Sequence, residues 1–420
     1  MPTPLNRQQI TGFWAAWAGW TLDGMDSVIY ALVLAPALTE LLPKSGYGAS
    51  PAEVGYAGSI LFALFLVGWG CAFIWGPIAD KFGRTRALAA TIITYAVFTG
   101  ASALATNVWQ LGLFRLLAGI GVGGEWAMAG TYVAEAWPED RRKMGAGYLQ
   151  TGYYFGFFLA AALNFTVGAR FGWRAMFLCG LVPVVLGIVT LFKVQEPPRW
   201  KAHSAEARHA HPLREIFGAR YRRRTLVMTA LLTVAIIGLW AGAVYEPTAI
   251  IQLAKKSGIE GPNAAKLVSL GTAILSVGTI LGCLAVPVLA ERIGRKRTLA
   301  MFFAGMAVTI PLAFGWAFYL EAGLVPFMAI LFFLGVFGGN FTAFSLWLPE
   351  LFDTRVRATA FAFATSFGRF VGAGVNFVIG GAVLHLGTLG TPVAWTGAAF
   401  VLGLLLIPFA VETRGQPLPD

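Results

Sequence analysis

The segment GPIADKFGRTR, Gly76 to Arg86, returns as PVLAERIGRKR, Pro287 to Arg297, and each copy sits between long apolar runs. Asp80 and Glu291 stand 211 residues apart in the two copies. A second echo follows the first. AEAWPEDRRKMGAG, from Ala134, has the plan of WLPELFDTRVRATAF, from Trp347. In both, an acid closes a helix, basic residues follow a short turn, and small residues open the next helix. Arg141 aligns with Arg355 at an offset of 214, and Glu135 with Glu350 at 215. Loops that recur in one order at a near-constant offset mark two copies of one unit with the same orientation.

The runs between these loops are too apolar for a soluble core. Of 420 residues, 57% are hydrophobic and 12% charged, whereas soluble domains carry about 25% charged residues. Lipid must therefore solvate much of the surface. Runs of span length occur at 11–42, 54–78, 85–105, 108–136, 144–168 and 173–193. Six more occur at 225–254, 264–290, 298–318, 324–350, 357–384 and 391–412. Each can cross ~30 Å of hydrocarbon as a helix of about 20 residues. The first run continues past Leu32 with no small-residue cleavage motif, so it reads as a retained span. The expected fold is all-α and polytopic: twelve transmembrane helices in two six-helix pseudo-repeats. Residues 1–193 and 225–420 are the expected bundles, with 194–224 as a linker between them.

Charge orients the bundle. Lys81, Arg84, Arg86, Arg141, Arg142, Lys143, Arg292, Arg295, Arg355 and the Arg-rich 194–224 segment fall on one side if both termini do. The opposite side keeps few cations, among them Lys44, Arg174 and Lys255. The positive-inside bias places both termini in the cytoplasm. That placement also accounts for the net charge of +11 without a nucleic-acid partner. Cys71, Cys179 and Cys283 lie within apolar runs without metal or disulfide spacing. His203, His209 and His211 read as solvent-facing linker residues, so no metal or cofactor is expected.

Few ionisable residues interrupt the spans, and such residues normally face a cavity or a partner. Asp23 and Asp26 in span 1 are three apart and share a helical face. Two carboxylates together in low dielectric cannot both stay ionised cheaply, which is the chemistry a proton carrier needs. The competing reading pairs one of them with Arg115 of span 4 as a structural ion pair. Glu125, also in span 4, is the third coupling candidate. Glu246 lies near the outer end of span 7. Arg369 lies ~18 Å along span 11, and a permanent charge at that depth calls for an acid or a substrate carboxylate. Asn376, two turns further on, offers an amide, and Asn340 matches Glu125 in the repeat. Arg115 is a possible second anion contact. Tyr153, Tyr154 and Trp240 are cavity candidates because they flank polar or Gly-rich segments. In the loops, Gly76, Asp80, Gly83, Arg84, Arg86, Glu135 and Arg141 read as gating residues, with Glu291, Arg295, Glu350 and Arg355 in the second copy. A network of such pairs present in only one global state biases the equilibrium between states.

Gly76, Asp80, Gly83, Arg84 and Arg86 together resemble the loop motif of the major facilitator superfamily, and the resemblance spans essentially the whole chain. The second copy departs from it at Pro287 and Glu291. Within the superfamily the chain is most similar to bacterial organic-acid–proton symporters: the sialate/lactate–pyruvate group, with aromatic-acid and metabolite–proton groups nearby. Asp23-Gly24-x-Asp26, Gly123-Gly124-Glu125-Trp126, Phe171-Gly172-Trp173-Arg174, Glu196-Pro197-Pro198-Arg199-Trp200, Gly368-Arg369 and Glu412-Thr413-x-Gly415 carry that likeness. The chain departs at Met25, where an aromatic is usual, and over Asn376 to Val378, where a Pro is expected. The resemblance implies uptake of a small carboxylate with protons by alternating access. It also implies a monomer in the bacterial inner membrane, surrounded by lipid and using no cofactor but the coupling proton. Sugar porters share several of these motifs, so a sugar or polyol porter is the alternative. A proton-driven metabolite or drug exporter and a non-transporting sensor on the same fold are further rivals.

Overall fold

A computed structural model describes residues 3–260 and 262–420. The side chains at 51, 52, 208, 209, 239–244, 262 and 384 lie outside the described set, and with them the expected cavity residue Trp240 and the ring of His209. The chain gathers into two compact units. The first runs to Tyr221 and includes Leu348–Phe370 and Pro417–Asp420; the second comprises Arg222–Trp347 and Val371–Gln416. The first unit thus takes in two stretches from the second half of the sequence.

Local signals explain the helix starts in the first unit. α1 (Arg7–Lys44) opens on a capping box made by Asn6 and Gln9, which satisfies backbone donors that a helix start leaves free. α2 (Pro51–Cys71) opens on the Ser50–Glu53 box, and a short turn leads into α3 (Trp75–Phe82). Gly83, with φ 121°, breaks the helix before α4 (Arg84–Ser102). Asn107 caps α5 (Val108–Ala136). α6 (Arg142–Leu163), α7 (Ala169–Cys179) and α8 (Val182–Lys193) follow. Two short helices, α9 (Pro198–His209) and α10 (Pro212–Ile216), occupy the polar linker.

The second unit draws on α11 (Arg222–Lys256), α12 (Pro262–Ile293), α13 (Arg295–Ile310), α14 (Leu324–Gly338) and α15 (Phe341–Trp347). α16 (Arg357–Leu386) begins in the first unit and continues in the second. α17 (Gly390–Trp395) and α18 (Gly397–Leu406) complete it. Among the described residues, eight helical segments are long and apolar enough to cross a membrane. One of these, Arg142–Lys193, covers two of the expected spans. The remaining three expected spans are α4, α5 and α11, of 19, 29 and 35 residues.

Helices within each unit meet backbone to backbone. A Cβ added at Gly24 of α1 would lie 2.2 Å from the Tyr153 carbonyl oxygen of α6, and one at Gly156 2.1 Å from that of Thr21. In the second unit the same relation joins Gly282 of α12 to Val336 of α14, at 2.0 Å. Lipid offers helices no hydrophobic drive to associate, so such close approach, which maximises dispersion contacts, supplies it instead.

Candidate functional site

The interior of the first unit holds an unusual concentration of charge. Asp26 of α1 accepts a hydrogen bond from Thr99 Oγ1 at 2.8 Å and lies 3.9 Å from Arg115 Nη1. Arg115 Nη2 donates to Thr99 at 3.0 Å and to Ser102 at 3.2 Å. Its guanidinium lies 5.2 Å from the Tyr30 ring centroid and 5.1 Å from that of Phe177. Arg115 is fully buried; its Nη1 lies within ion-pair range of Asp26, while its Nε and Nη1 have no hydrogen-bond partner among the described residues.

Asp23 is placed differently. It is fully buried, and neither carboxylate oxygen has a hydrogen-bond partner among the described residues. Glu125, Asp26 and Arg369 all act electrostatically on it. Glu125 accepts from Thr91 at 3.3 Å through Oε2, while Oε1 has no partner among the described residues. A Cβ at Gly19 would lie 2.5 Å from that Oε1, so α1 must be bare there to admit the acid. Arg369 donates through Nη1 to the Thr365 carbonyl of its own helix at 2.6 Å. Its guanidinium sits over Trp69 at 4.0 Å, and its Nε is without an acceptor among the described residues.

Aromatic rings wall this cluster. Trp20 lies 4.7 Å from Tyr153 and stacks on Trp126 at 6.1 Å; Trp126 meets Phe361 edge-on at 5.3 Å. Tyr154 packs edge-on against Tyr153 at 5.8 Å. Nearly every buried polar group in a folded protein finds a partner. Here Asp23, Glu125 Oε1, Arg369 Nε, Trp20 Nε1 and Tyr30 Oη are buried without one among the described residues. Such a cluster is suited to exchanging a proton and to receiving a polar ligand inside apolar walls. Sequence reasoning missed Trp20, Trp69, Phe361 and the Thr99–Ser102 pair. Trp20 stood three residues before Asp23, one helical turn away on the same face, and could have been found.

Asn340, Asn376 and Glu246 belong to the second unit. Asn340 donates to the Phe337 carbonyl at 2.9 Å, with its Oδ1 unpartnered among the described residues. The Asn376 side-chain nitrogen also lacks a partner there. Glu246, 2% exposed, accepts from Thr272 at 3.3 Å. An apolar groove of about 300 Å³ between the ends of α1, α2 and α5, lined by residues such as Leu42, Tyr56 and Trp109, contains none of the candidate charges.

The Gly-Arg turn of the first unit carries a second set of buried charges. Arg84 binds Glu135 with two bonds, at 2.9 and 3.0 Å, and lies 2.9 Å from Asp80. Asp80 caps α16, accepting from the backbone N–H of Ala358 at 3.2 Å and of Thr359 at 2.9 Å. Gly76 allows α3 to approach it, because a Cβ there would lie 2.5 Å from Thr359 Cα. Arg357 donates to Glu135 at 2.6 Å. Glu350 is held by Arg142 at 3.0 Å, not by the neighbouring Arg141. Arg355 lies 3.4 Å from Glu215, and Arg295 2.7 Å from Glu291. Arg199 and Arg357 also hold the tail, donating to the carbonyls of Leu418 and Pro419.

Both copies of the turn end in the same device. Glu196 accepts from the N–H groups of Thr85 and Arg86 at the start of α4. Glu412 accepts from those of Arg295 and Lys296 at the start of α13. An anion at a helix N-terminus satisfies free donors and complements the helix dipole. Burial pushes the Glu196 carboxyl above its ordinary range, against the pull of these N–H groups. Glu139, in the loop before α6, ends below its ordinary range: burial raises it, but the Arg142 bond and charge outweigh that.

The chain matches the model of the Major Facilitator Superfamily over residues 13–373. It is 30% identical to the probable 4-methylmuconolactone transporter of Cupriavidus pinatubonensis, covering 97% of this chain and 92% of that one. It is 26% identical to the niacin transporter NiaP of Acinetobacter baylyi, over 99% and 97% of the two chains. With the 4-hydroxybenzoate transporter PcaK of Pseudomonas aeruginosa it shares 28% identity over 93% and 88%. Among solved structures, the proton:xylose symporter XylE bound to 6-bromo-6-deoxy-D-glucose superposes with a TM-score of 0.80, at 20% identity over 98% of each chain, a likeness of fold. Repeated Gly-Arg turns, membrane-length helices and full-length relatives agree: this chain belongs to the Major Facilitator Superfamily and is a multi-pass secondary active transporter.

Proposed function

We propose that the protein takes up a small organic anion, an aromatic or related carboxylate, together with protons. The observation that carries this reading is a buried acid, Asp23, without a hydrogen-bond partner among the described residues, within electrostatic reach of Arg369, whose Nε also lacks one, beside aromatic rings. Two full-length relatives are named for niacin and 4-hydroxybenzoate, and both ligands combine a ring with a carboxylate. In the proposed cycle, Asp23, Asp26 and Glu125 hold the coupling proton, and Arg369 receives the substrate carboxylate. Tyr153, Trp20 and Trp126 enclose its ring. Arg115 holds Asp26 and so sets how readily that acid gives up its proton.

The positive-inside bias supports a bacterial inner-membrane transporter with both termini and the Gly-Arg turns in the cytoplasm. There the Arg84–Glu135–Arg357 set acts as a latch that must open for release. The protein works as a monomer in lipid. Uptake of 4-hydroxybenzoate and nicotinate into proteoliposomes, under an imposed pH gradient, tests the proposal. Wild-type protein is expected to accumulate at least one of them when the outside is acidic, and Asp23→Asn and Arg369→Gln are expected to abolish accumulation. Undiminished uptake in Asp23→Asn with Asp26→Asn and Glu125→Gln would sink the proton assignment. Uptake of xylose but of neither acid would favour a sugar porter.

A further inference from the structure

The Arg369 guanidinium has two kinds of surface, and the fold treats them differently. Its donors lie in the plane of the group, while its faces are weakly hydrated and stack on aromatic rings. One face is covered by Trp69 of α2 at 4.0 Å. In the plane, Nη1 is anchored on the Thr365 carbonyl and Nε remains without an acceptor among the described residues.

Trp69 itself is held tightly. It is 2% exposed, and Phe65, 1% exposed, meets it edge-on at 5.7 Å. Tyr30 stacks on Phe65 at 5.9 Å. On the other side, a Cβ at Gly123 would lie 2.2 Å from Trp69 Cδ1, so the indole occupies space that only a glycine leaves on α5. A ring so confined cannot swing away, so the guanidinium face that lies over it stays covered.

We infer that Trp69 is a positioning residue for carboxylate recognition: it fixes Arg369 so that the edge of the guanidinium, with its fork of donors, is what a substrate meets. An edge-on fork matches the two oxygens of a carboxylate and is mismatched to an amide, which offers one acceptor and one donor group. Trp69 therefore sets selectivity for the anion over its neutral isostere without touching either. This inference rests on the proposed carboxylate reading.

The test measures binding of 4-hydroxybenzoate and 4-hydroxybenzamide, and of nicotinate and nicotinamide, to the purified full chain at one pH. Trp69→Leu is expected to weaken the acids by about tenfold, as loss of a desolvated cation–π contact predicts, and the amides by less than about twofold. Trp69→Phe, which keeps an aromatic face in a smaller side chain, is expected to retain most of the acid preference. Equal loss of acid and amide in Trp69→Leu, or an unchanged ratio, overturns the inference. If Arg369→Gln abolishes the acid preference while Trp69→Leu keeps it, only the role of Trp69 fails. If the wild type prefers neither acid, or Arg369→Gln keeps the preference, the carboxylate reading fails and this inference with it.

Discussion

The first unit buries charge in two places and finishes the job in only one of them. At the Gly-Arg turn, Arg84, Glu135 and Arg357 are fully or almost fully buried, yet their bonds close on one another and on nearby carbonyls. Around Asp23 the burial is as complete, but carboxylate oxygens, an indole nitrogen and a guanidinium nitrogen stand without partners among the described residues. Burying an unpaired charge costs several kcal/mol by order of magnitude, and a closed network offsets that cost. The two regions therefore answer to different demands. The turn is built to hold one arrangement firmly, whereas the cluster keeps unsatisfied bonding capacity, which the proposed function assigns to a proton and a ligand.

Stability measurements can break this contrast. The largest loss is expected for Glu135→Ala, which takes the shared carboxylate from two buried arginines and leaves Arg357 with neutral acceptors only; removing one member of such a set costs about 3–5 kcal/mol. A thermal midpoint in lipid nanodiscs equal to that of wild type would show that the network carries little. Arg142→Gln should cost less, because buried Glu350 and half-buried Glu139 each lose one charged donor; about 1.5–3 kcal/mol is expected for a hydrogen bond to a charged group. Glu196→Gln and Glu412→Gln remove matching helix caps and should each cost about 1 kcal/mol. Unequal losses between them would sharpen the comparison by showing that the two copies of the turn bear different loads.

The smallest stability change is expected at Asp23, the proposed proton carrier. Asp23→Asn relieves a buried acid of its charge, so the midpoint should hold or rise, while proton-driven uptake collapses. A midpoint lowered as far as in Glu135→Ala would mean that Asp23 is a structural member like the others, and the contrast would dissolve.

Sequence reasoning reached some of this and stopped for identifiable reasons. The turn was readable because Asp80, Gly83 and Arg84 recur as Glu291, Gly294 and Arg295, and repetition exposes what each copy shares. Which arginine meets Glu350 was not readable. Arg141 and Arg142 are adjacent, and a step of about 100° around the helix start decides which one points inward. The caps at Glu196 and Glu412 lie about 110 residues from the helices they close, beyond any local pattern. Asp23, Asp26, Glu125 and Arg369 stood out because charge is rare in such helices. Trp69 did not stand out: it is one of 14 tryptophans in a chain where aromatic packing is everywhere. Only its place over Arg369 distinguishes it.

The contact of Gly24 with Tyr153 and of Gly156 with Thr21 carries a consequence for how such a protein can be re-purposed. α1 bears Trp20, Asp23 and Asp26, and α6 bears Tyr153, so both walls of the cluster hang from this one seam. Their spacing is fixed by main-chain atoms already touching, and no exchange of neighbouring side chains can narrow it. Cargo can therefore be re-tailored by swapping rings and polar tips around a frame of constant gauge. A bulkier residue at either glycine would instead pry the frame apart and change every cargo at once.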